Sequence, residues 1–575
     1  MREWLGTQIE RYEVPGAAVA VVAGGKIVLQ EGFGRRDVEE DLPVTPDTSM
    51  ALASATKAFT AATVGALVDD GLLDWDEPVR RHIPDFQLWD PVATERITVR
   101  DMLCHRSGLP RHDLMWYGNK SFDRAGAVRL LRHLQPNRDF RTYWQYNNLM
   151  YLTAGHLTEV LAGLPWEDVV RARLLEPLGM TSTTFSPEEA RTAGVVSKPY
   201  AERGGELKEV PYAPKTGTTG PAGALYSTLT DMVAWLRVHL DGGQYDGRRV
   251  LSEATIRQLL APQMVTPETM TIFPEAADFA YGLGWFIGTY RGHKMVHHGG
   301  NIDGFTSLVT MLPNEGIGVV FLSNKDATSL RSATAYHVFD EMLGLDPIPW
   351  DERVKEFADA MRGGMRQAKT LTPKRENCPP AHPLDEYAGY YEHPAYGRLS
   401  IDVVDDELRP SFREVPVSMS HRHFETWNFQ IERFEEMQLT ITFETGLDGH
   451  VESVAVPFEP NVAPIRLTKL PEASLSDPEF LDRLAGRYVM GPIVLNVSHP
   501  RPDVLTARYT GGPHLTLVPH RDLTFRVKEV GTASLTFTVD QSGTTTEVLL
   551  QPAGLFRRED TRDASRDGPE ASDSG

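Results

Sequence analysis

The chain has 575 residues, 41% hydrophobic and 24% charged, a composition typical of a soluble protein with several domains. Its 58 basic and 79 acidic residues give a formal charge of −21, which argues against nucleic acid or an anionic membrane as a partner. No apolar run approaches the roughly 18 to 20 residues that span a bilayer, and the start MREWLGTQIERYEVPG lacks the apolar core of a signal peptide. We therefore predict a cytoplasmic protein without membrane contacts, in which Cys104 and Cys378 stay reduced.

Residues 1–348 predict an α+β domain, an antiparallel sheet flanked by helices. An amphipathic helix over 2–12 is followed by a β-hairpin over 16–34, where GAAVAVV and IVLQEGFG flank the turn AGGK. Helical periodicity dominates from about 54 to 240. Strands return at 281–288, 293–298, 305–312 and 316–324. Strands at both ends of this region, with helices between them, predict one sheet closed by its two termini.

The C-terminal region contains an internal repeat. A charged helix and a proline-rich linker over 349–383 lead to LDEYAGYY at 384–391, which recurs as LDRLAGRY at 481–488. Alternating strand patterns follow both copies, so we predict two small antiparallel, lipocalin-like β-barrels. The first barrel is predicted over 384–470 and the second over 481–558, with a linker over 471–480 between them. A disordered acidic tail is predicted over 559–575.

The first chemical signal is SATK at 54–57, at the start of an apolar helical pattern. Residues three apart share a helix face, so Ser54 and Lys57 are expected to point the same way. A serine hydroxyl is a poor nucleophile until a base removes its proton, and a lysine of depressed pKa is such a base. The alternative is a serine near the helix N-terminus with a lysine that reaches the surface.

The second signal is YWQYNNLMYLTAG at 143–155, a loop that enters an apolar helix. Tyr146 offers a phenol for proton transfer. Asn148 offers an amide that can hold a substrate carbonyl or the lysine. The alternative is an ordinary aromatic residue at a helix entrance.

The third signal is KMVHHGGNIDGF, where a strand ends at His298 and two glycines follow. Glycines there let a substrate backbone lie along the strand edge, and Gly300 is the second of them. The backbone N–H groups of Asn301 and Ser54 are candidates for an oxyanion hole. The alternative is an ordinary hairpin corner.

In this order, the three motifs resemble those of the serine β-lactamase and penicillin-binding-protein superfamily, in the branch related to class C β-lactamases, D-aminopeptidases and esterases. HRSGLP (105–110), GPAGALYSTLTDM (220–232) and YGLGW (281–285) also resemble recurrent segments of this family. The resemblance covers roughly residues 1–345, and the two barrels are similar in layout to three-domain D-aminopeptidases. It implies that Ser54 attacks an acyl carbon, that Lys57 and Tyr146 shuttle the proton, and that Asn148 binds the substrate.

The chain departs from this pattern in its third motif, which begins with His298 where carboxylate-binding relatives typically carry lysine. Histidine is mostly neutral near pH 7, so the motif disfavours penicillins and D-Ala-D-Ala peptides. A literal KTG at Lys215–Gly217 lies in a proline- and glycine-rich context that predicts a loop rather than a strand. An alternative register places His297 first in the motif.

The motifs and the family resemblance predict a serine hydrolase that acts on a small peptide, amide or ester. The first-ranked activity is that of a D-stereospecific aminopeptidase or amidase. An esterase, a thioesterase or a peptide cyclase of the same mechanism is the alternative. A β-lactamase comes third, and a non-catalytic binding or scaffold protein comes last. We predict no cofactor, no metal and no nucleic-acid partner, and a homo-oligomer is left open.

Overall fold

The computed structural model describes residues 1–213, 218–370, 374–431, 438–502, 504–540 and 542–559. Lys215 and all but the first residue of the predicted acidic tail lie outside these residues. The chain divides into two compact units. The first contains residues 1–375 together with the short segments 394–396 and 457–465, and the second contains the rest of the C-terminal region.

A nine-stranded antiparallel sheet forms the centre of the first unit. Its strands, from one edge to the other, are Met264–Val265, Ala276–Tyr281, Phe286–Tyr290, His293–Ile302, Phe305–Leu312, Ile317–Ser323, Gly16–Ala23, Lys26–Asp37 and Leu42–Pro43. The N-terminal strand pairs with the last strand of the unit, with Val19 opposite Phe321. Both strands are buried almost throughout, which explains their unbroken apolar sequences. The predicted α+β domain, with its sheet closed by the two ends, is confirmed.

Helices cover both faces of this sheet. Arg2–Arg11, Leu330–Leu343 and the start of Trp350–Thr370 share an apolar core with one face. Leu229–Leu240 packs on the other face, where Leu236 lies directly over Gly318. The remaining helices of the unit are Thr56–Asp69, Pro91–Arg96, Val99–Leu103, Asp113–Trp116, Arg124–Leu130, Asn148–Ala162, Trp166–Val170, Glu176–Leu178, Pro187–Ala193, Gly220–Gly223 and Glu253–Leu259. Three two-stranded ribbons complete it, Met50–Ala51 with Tyr226–Ser227, Tyr200–Arg203 with Glu206–Glu209, and Gln244–Tyr245 with Arg248–Arg249.

The helix Thr56–Asp69 lies inside the protein rather than on its surface. Every residue from Thr56 to Leu67 is buried, and a helix that is apolar on all sides belongs in a core. It brings Lys57 into the interior on its first turn.

One predicted strand is wrong. The stretch 281–288 was expected to be continuous, but the strands Ala276–Tyr281 and Phe286–Tyr290 are separated by a bend. Gly284 in this bend has a φ of +83° and packs against the buried helix. A Cβ there would lie 3.0 Å from the carbonyl oxygen of Lys57. The glycine breaks the strand because the chain must approach the helix closely.

The second unit contains two closed eight-stranded antiparallel barrels, as predicted. The strands of the first barrel are Gly389–His393, Gly397–Val404, Glu407–Phe412, Val415–His423, Thr426–Ile431, Gln438–Thr445, Val451–Val456 and Ile465–Lys469. After the helix Pro478–Leu484, those of the second barrel are Gly486–Met490, Ile493–Arg501, Val504–Tyr509, His514–Arg521, Thr524–Val527, Val530–Val539, Thr545–Gln551 and Gly554–Arg558.

The repeated segment has the same structure in both barrels. The Tyr391 hydroxyl donates to the carbonyl of Tyr387 at 2.9 Å, and the Tyr488 hydroxyl donates to the carbonyl of Leu484 at 2.7 Å. Both tyrosines are completely buried at the start of the first strand of their barrel. The repeated segment therefore makes the same tyrosine-to-backbone hydrogen bond in both barrels. Among the described residues, no helix has the length and apolar character needed to cross a bilayer.

Candidate active site

Ser54 lies at a sharp turn directly in front of the buried helix. Ala53 has a φ of +48°, in the left-handed region that L-residues rarely adopt, and Ala53–Ala55 form one 3-10 turn. Backbone strain of this kind costs about 1 to 3 kcal/mol and is concentrated at functional sites. The turn stacks residues that are three apart, and Lys57 Nζ lies 3.2 Å from Ser54 Oγ.

Lys57 is completely buried, which is rare for a lysine. Its Nζ donates to the carbonyl of Ala222 at 2.8 Å and lies 4.8 Å from the ring centroid of Tyr146. Burial lowers the pKa of Lys57 well below its ordinary value, the charge of Arg111 lowers it further, and Asp113 opposes the shift. This shift favours the neutral amine, whose lone pair can accept the serine proton.

Tyr146 completes a compact group with the serine and the lysine. Burial raises the pKa of its hydroxyl, while a hydrogen bond with Ser54 opposes the rise. The ring centroid of His105 lies 4.5 Å from that of Tyr146, and the Arg111 guanidinium lies 5.2 Å from it on the rim of the site. His105 Nδ1 accepts the backbone N–H of Asn147 at 3.1 Å, so the HRSGLP segment supports the tyrosine loop.

Asn148 is buried at the start of the helix Asn148–Ala162. Its side-chain Nδ2 donates to Asp113 Oδ1 at 2.9 Å. Asp113 in turn accepts from Arg111 Nε at 2.5 Å and from Trp116 Nε1 at 3.0 Å. The structure thus directs this amide to a neighbouring carboxylate, a partner that the motif did not indicate. The loop that supplies Arg111 and Asp113 was not predicted as part of the site.

His298 is buried beneath the group, and its two ring nitrogens are both engaged. Nδ1 lies 2.7 Å from the carbonyl oxygen of Gly299, and Nε2 lies 2.9 Å from the hydroxyl of Tyr281. Burial lowers the pKa of His298 well below its ordinary value, and Lys57 lowers it further whenever the lysine is protonated. The neutral ring therefore donates from Nδ1 and accepts the Tyr281 proton at Nε2. His297 is directed elsewhere, with Nε2 at 2.8 Å from Asp278 Oδ1.

Gly300 lets the strand His293–Ile302 lie against the turn Ala53–Ala55, which carries Ser54 and is called the nucleophile turn below. A Cβ at this position would lie 2.1 Å from the carbonyl oxygen of Leu52 and 2.8 Å from the backbone nitrogen of Ser54. Ser307, which pairs with Gly300 on the next strand, donates its hydroxyl to the same Leu52 carbonyl at 2.6 Å. Asn301 is the next residue on the strand, so its backbone also lies at this edge.

Arg331 is a further cation beside this edge that motif reasoning did not detect. Its Nη1 donates to the carbonyl of Gly300 at 3.2 Å and faces the side-chain amide of Asn301. Arg331 stands at the start of the helix Leu330–Leu343, beyond all three motifs, and no sequence motif indicated it.

The chain contains a second YxN pattern, at Tyr117 and Asn119, in which the Tyr117 hydroxyl donates to the carboxylate oxygens of Asp303. Lys215 lies outside the described residues. The conclusion that KTG is not the third motif therefore stays a prediction.

The central sheet with its covering helices is the fold of the serine hydrolases of the β-lactamase and penicillin-binding-protein superfamily. The chain belongs to the Beta-lactamase family, whose model matches residues 1–341. A second model, described as a domain of unknown function (DUF3471), matches residues 373–469.

Relatives and a solved structure agree with this assignment. The chain is 32% identical over 484 residues to an unguisins hydrolase of Aspergillus campestris, covering 79% of this chain and 88% of the relative. It is 30% identical over 345 residues to penicillin-binding protein 4 of Amycolatopsis lactamdurans, covering 58% of this chain and 86% of the relative. The octameric penicillin-binding protein homologue of Pyrococcus abyssi has the same fold, with a TM-score of 0.53 and 21% identity over 81% of this chain and 99% of that one.

Proposed function

We propose that this protein is an amidase or aminopeptidase, specific for D-residues, that cleaves small peptides or amides through an acyl-enzyme on Ser54. One observation carries the catalytic part of the proposal, the completely buried Lys57 with Nζ 3.2 Å from Ser54 Oγ. A lysine whose burial favours the neutral amine, beside a serine hydroxyl, is a general base in position.

In the first step, the Lys57 lone pair takes the proton of Ser54 as Oγ attacks the substrate carbonyl carbon. The hydrogen bond from Nζ to the carbonyl of Ala222 orients the amine, so its lone pair is left for the serine. The negative charge that develops on the carbonyl oxygen needs donors that are already in place. The backbone N–H groups of Ser54 and Asn301 are our candidates, since Gly300 keeps the strand edge against the nucleophile turn.

In the second step, the carbon–nitrogen bond breaks and the leaving amine must receive a proton. The protonated Lys57 is a strong acid for a lysine, because burial favours its neutral form. Tyr146 lies beside this ammonium, with Lys57 Nζ 4.8 Å from its ring centroid, and its hydroxyl interacts with Ser54, so that hydroxyl can relay the proton. This relay supports an amide substrate, whose leaving group requires protonation more than that of an ester. Water then attacks the ester at Ser54 along the same path.

The neutral, fully engaged His298 supports substrates without a carboxylate beside the scissile bond, as in amides or peptides cleaved from the amino end. The preference for D-residues rests on the resemblance to D-aminopeptidases in motifs and layout. The name of the Aspergillus campestris relative, a hydrolase of unguisins, supports hydrolysis as the reaction.

A labelling experiment tests the nucleophile. A fluorophosphonate probe is expected to add its mass to the peptide that contains Ser54 and not to label Ser54→Ala. Equal labelling of the variant would contradict the proposal.

A substrate panel tests the class of substrate. D- and L-aminoacyl p-nitroanilides, p-nitrophenyl esters and a chromogenic cephalosporin are compared as kcat/KM. We expect the D-aminoacyl anilides to be preferred. Turnover of esters alone would favour the esterase alternative, and rapid hydrolysis of the cephalosporin would favour a β-lactamase.

A further inference from the structure

Two short C-terminal segments belong to the same compact unit as the active site, although they lie far along the chain. Residues 394–396 connect the first two strands of the first barrel, and 457–465 lead into its last strand. They supply Tyr396, Phe458 and Glu459, all of which are buried. The rings of Tyr396 and Phe458 stack with centroids 4.9 Å apart and an interplanar angle of 8°.

These segments converge on His112, which is completely buried and has a φ of +48°. Glu459 Oε2 accepts the backbone N–H of His112 at 2.8 Å. The ring Nδ1 lies 2.7 Å from the Tyr396 hydroxyl, and Nε2 lies 2.9 Å from the carbonyl oxygen of Gln135. Since a carbonyl can only accept, Nε2 carries the proton and Nδ1 accepts from the tyrosine. Burial lowers the pKa of His112, in agreement with this neutral tautomer.

Glu459 is built into this position. It is 3% exposed, and its second oxygen, Oε1, accepts from the backbone N–H of Asn461 at 3.1 Å and from Asn461 Nδ2 at 2.8 Å. A buried carboxylate is tolerated only when its oxygens are hydrogen-bonded. Asn461 fixes one oxygen of the carboxylate, and the other oxygen holds the backbone N–H of His112, a residue in a strained conformation.

The residues on either side of His112 face the catalytic group. Arg111 lies over the Tyr146 ring, and Asp113 accepts both from Arg111 and from Asn148. A left-handed residue is an energetic cost that persists only where its surroundings hold it. Without its two C-terminal partners, His112 has less to keep it in that conformation.

We propose that Glu459 and Tyr396 are positioning residues of the active site, which fix His112 and thereby hold Arg111 and Asp113 against Tyr146 and Asn148. This inference rests on the proposed function of Ser54. It gives two short segments far along the chain, 394–396 and 457–465, a part in the active site that the sequence did not indicate.

The test compares Tyr396→Phe, Glu459→Gln and Glu459→Ala in the full-length chain. Matched controls in the same barrel are Tyr390→Phe, whose side chain is 52% exposed, and Glu444→Gln, which pairs with Arg466. The readouts are the rate of fluorophosphonate labelling at Ser54, kcat/KM for p-nitrophenyl acetate and the pH profiles of both. The fraction of labelled protein corrects each rate for misfolded material.

We expect Tyr396→Phe to lower kcat/KM about 3- to 10-fold and Glu459→Ala about 10- to 100-fold, because small displacements of a site cost this much. Glu459→Gln keeps an oxygen acceptor for the His112 N–H and is expected to fall between the wild type and Glu459→Ala. The controls are expected to stay within about twofold of the wild type.

The pH profile separates positioning from simple stability. Charged and titratable groups around Lys57 are Arg111, Asp113, Tyr146, Tyr151, His105 and His298. When the loop loosens, Lys57 loses part of its burial and part of the Arg111 charge, and both losses raise its pKa. The loss of Asp113 acts in the opposite direction and is the smallest of the three effects. The acid limb of the labelling rate is therefore expected to move to higher pH in Glu459→Ala, by about 0.5 unit or more.

Each outcome has one meaning. Wild-type rates and an unshifted acid limb in Tyr396→Phe and Glu459→Ala would overturn this inference while leaving the nucleophile intact. If Glu459→Ala does not fold, Tyr396→Phe, which removes a single oxygen atom, decides the question. Failure of the wild-type protein to label at Ser54 would instead overturn the proposed function.

Discussion

Lys57 Nζ lies between Ser54 Oγ, at 3.2 Å, and the carbonyl oxygen of Ala222, at 2.8 Å, in a completely buried position. Ser54 is three residues from Lys57 in the sequence, whereas Ala222 is 165 residues away. They leave the amine with a single orientation and no water shell. The same burial that makes Lys57 a base also makes it unfavourable to the folded state.

Replacing Lys57 by arginine is expected to abolish turnover. A guanidinium keeps its proton at any accessible pH, so it cannot accept one from Ser54. We expect kcat/KM to fall at least about 1000-fold, since removing the base costs nearly as much as removing the nucleophile. Lys294→Arg on the strand His293–Ile302 is the matched control and should stay within about threefold. Activity in Lys57→Arg close to the wild type would contradict the role of Lys57 as base.

Replacing Lys57 by methionine is expected to stabilise the protein in a pH-dependent way. The pKa of Lys57 is depressed in the folded state, so the unfolded chain binds one proton more over the range between the folded and unfolded pKa values. Over that range the wild-type free energy of unfolding rises with pH. The gain from Lys57→Met should thus be larger at about pH 6 than at about pH 10, close to the ordinary lysine pKa. Urea unfolding at both values measures it, and a gain that grows with pH would refute the explanation.

Gly300→Ala is expected to disrupt the site rather than the fold. The added Cβ would lie 2.1 Å from the carbonyl oxygen of Leu52, so the strand edge must move away from Ser54. A shift of about 1 Å costs on the order of 100-fold in rate, and we expect that loss in fluorophosphonate labelling. Gly531→Ala is the control, since a Cβ there meets no atom within 4 Å. Unchanged labelling of Gly300→Ala would show that this close approach is not needed.

His298→Ala is expected to lower kcat/KM by about tenfold to a thousandfold, through lost contacts along the strand edge. Tyr281→Phe removes the hydrogen bond to Nε2 and should have a smaller effect in the same direction, about 3- to 10-fold. Lys215→Ala is the control and is expected to change kcat/KM by less than about threefold. An inactive Lys215→Ala beside a fully active His298→Ala would make KTG the third motif.

Local patterns in the sequence predicted much of the fold. Apolar runs at 16–22 and 316–324 indicated the two central strands, because strands buried on both faces need no polar alternation. The repeat at 384–391 and 481–488 indicated the two barrels. The predicted strand 281–288 was wrong at Gly284, because close contact with the neighbouring helix, and not local strand propensity, sets the conformation of this glycine.

Spacing along the chain also determined which residues could form a catalytic group, because residues three apart stack on one turn whatever surrounds them. This spacing places Lys57 Nζ 3.2 Å from Ser54 Oγ. The burial that gives Lys57 its low pKa is a different matter. It depends on Ala222 and Tyr146, which only folding brings to the amine.

Only the tertiary structure decided the surroundings of that group. Arg111, Asp113 and Arg331 reach the site from a loop and a helix whose sequences carry no signal of catalysis. Glu459 meets His112 across 347 residues. No periodicity encodes such contacts, because they arise from the packing of whole elements. The sequence alone therefore determined the chemical groups and their local geometry, and the packed structure determined the charges and hydrogen bonds that hold them in place.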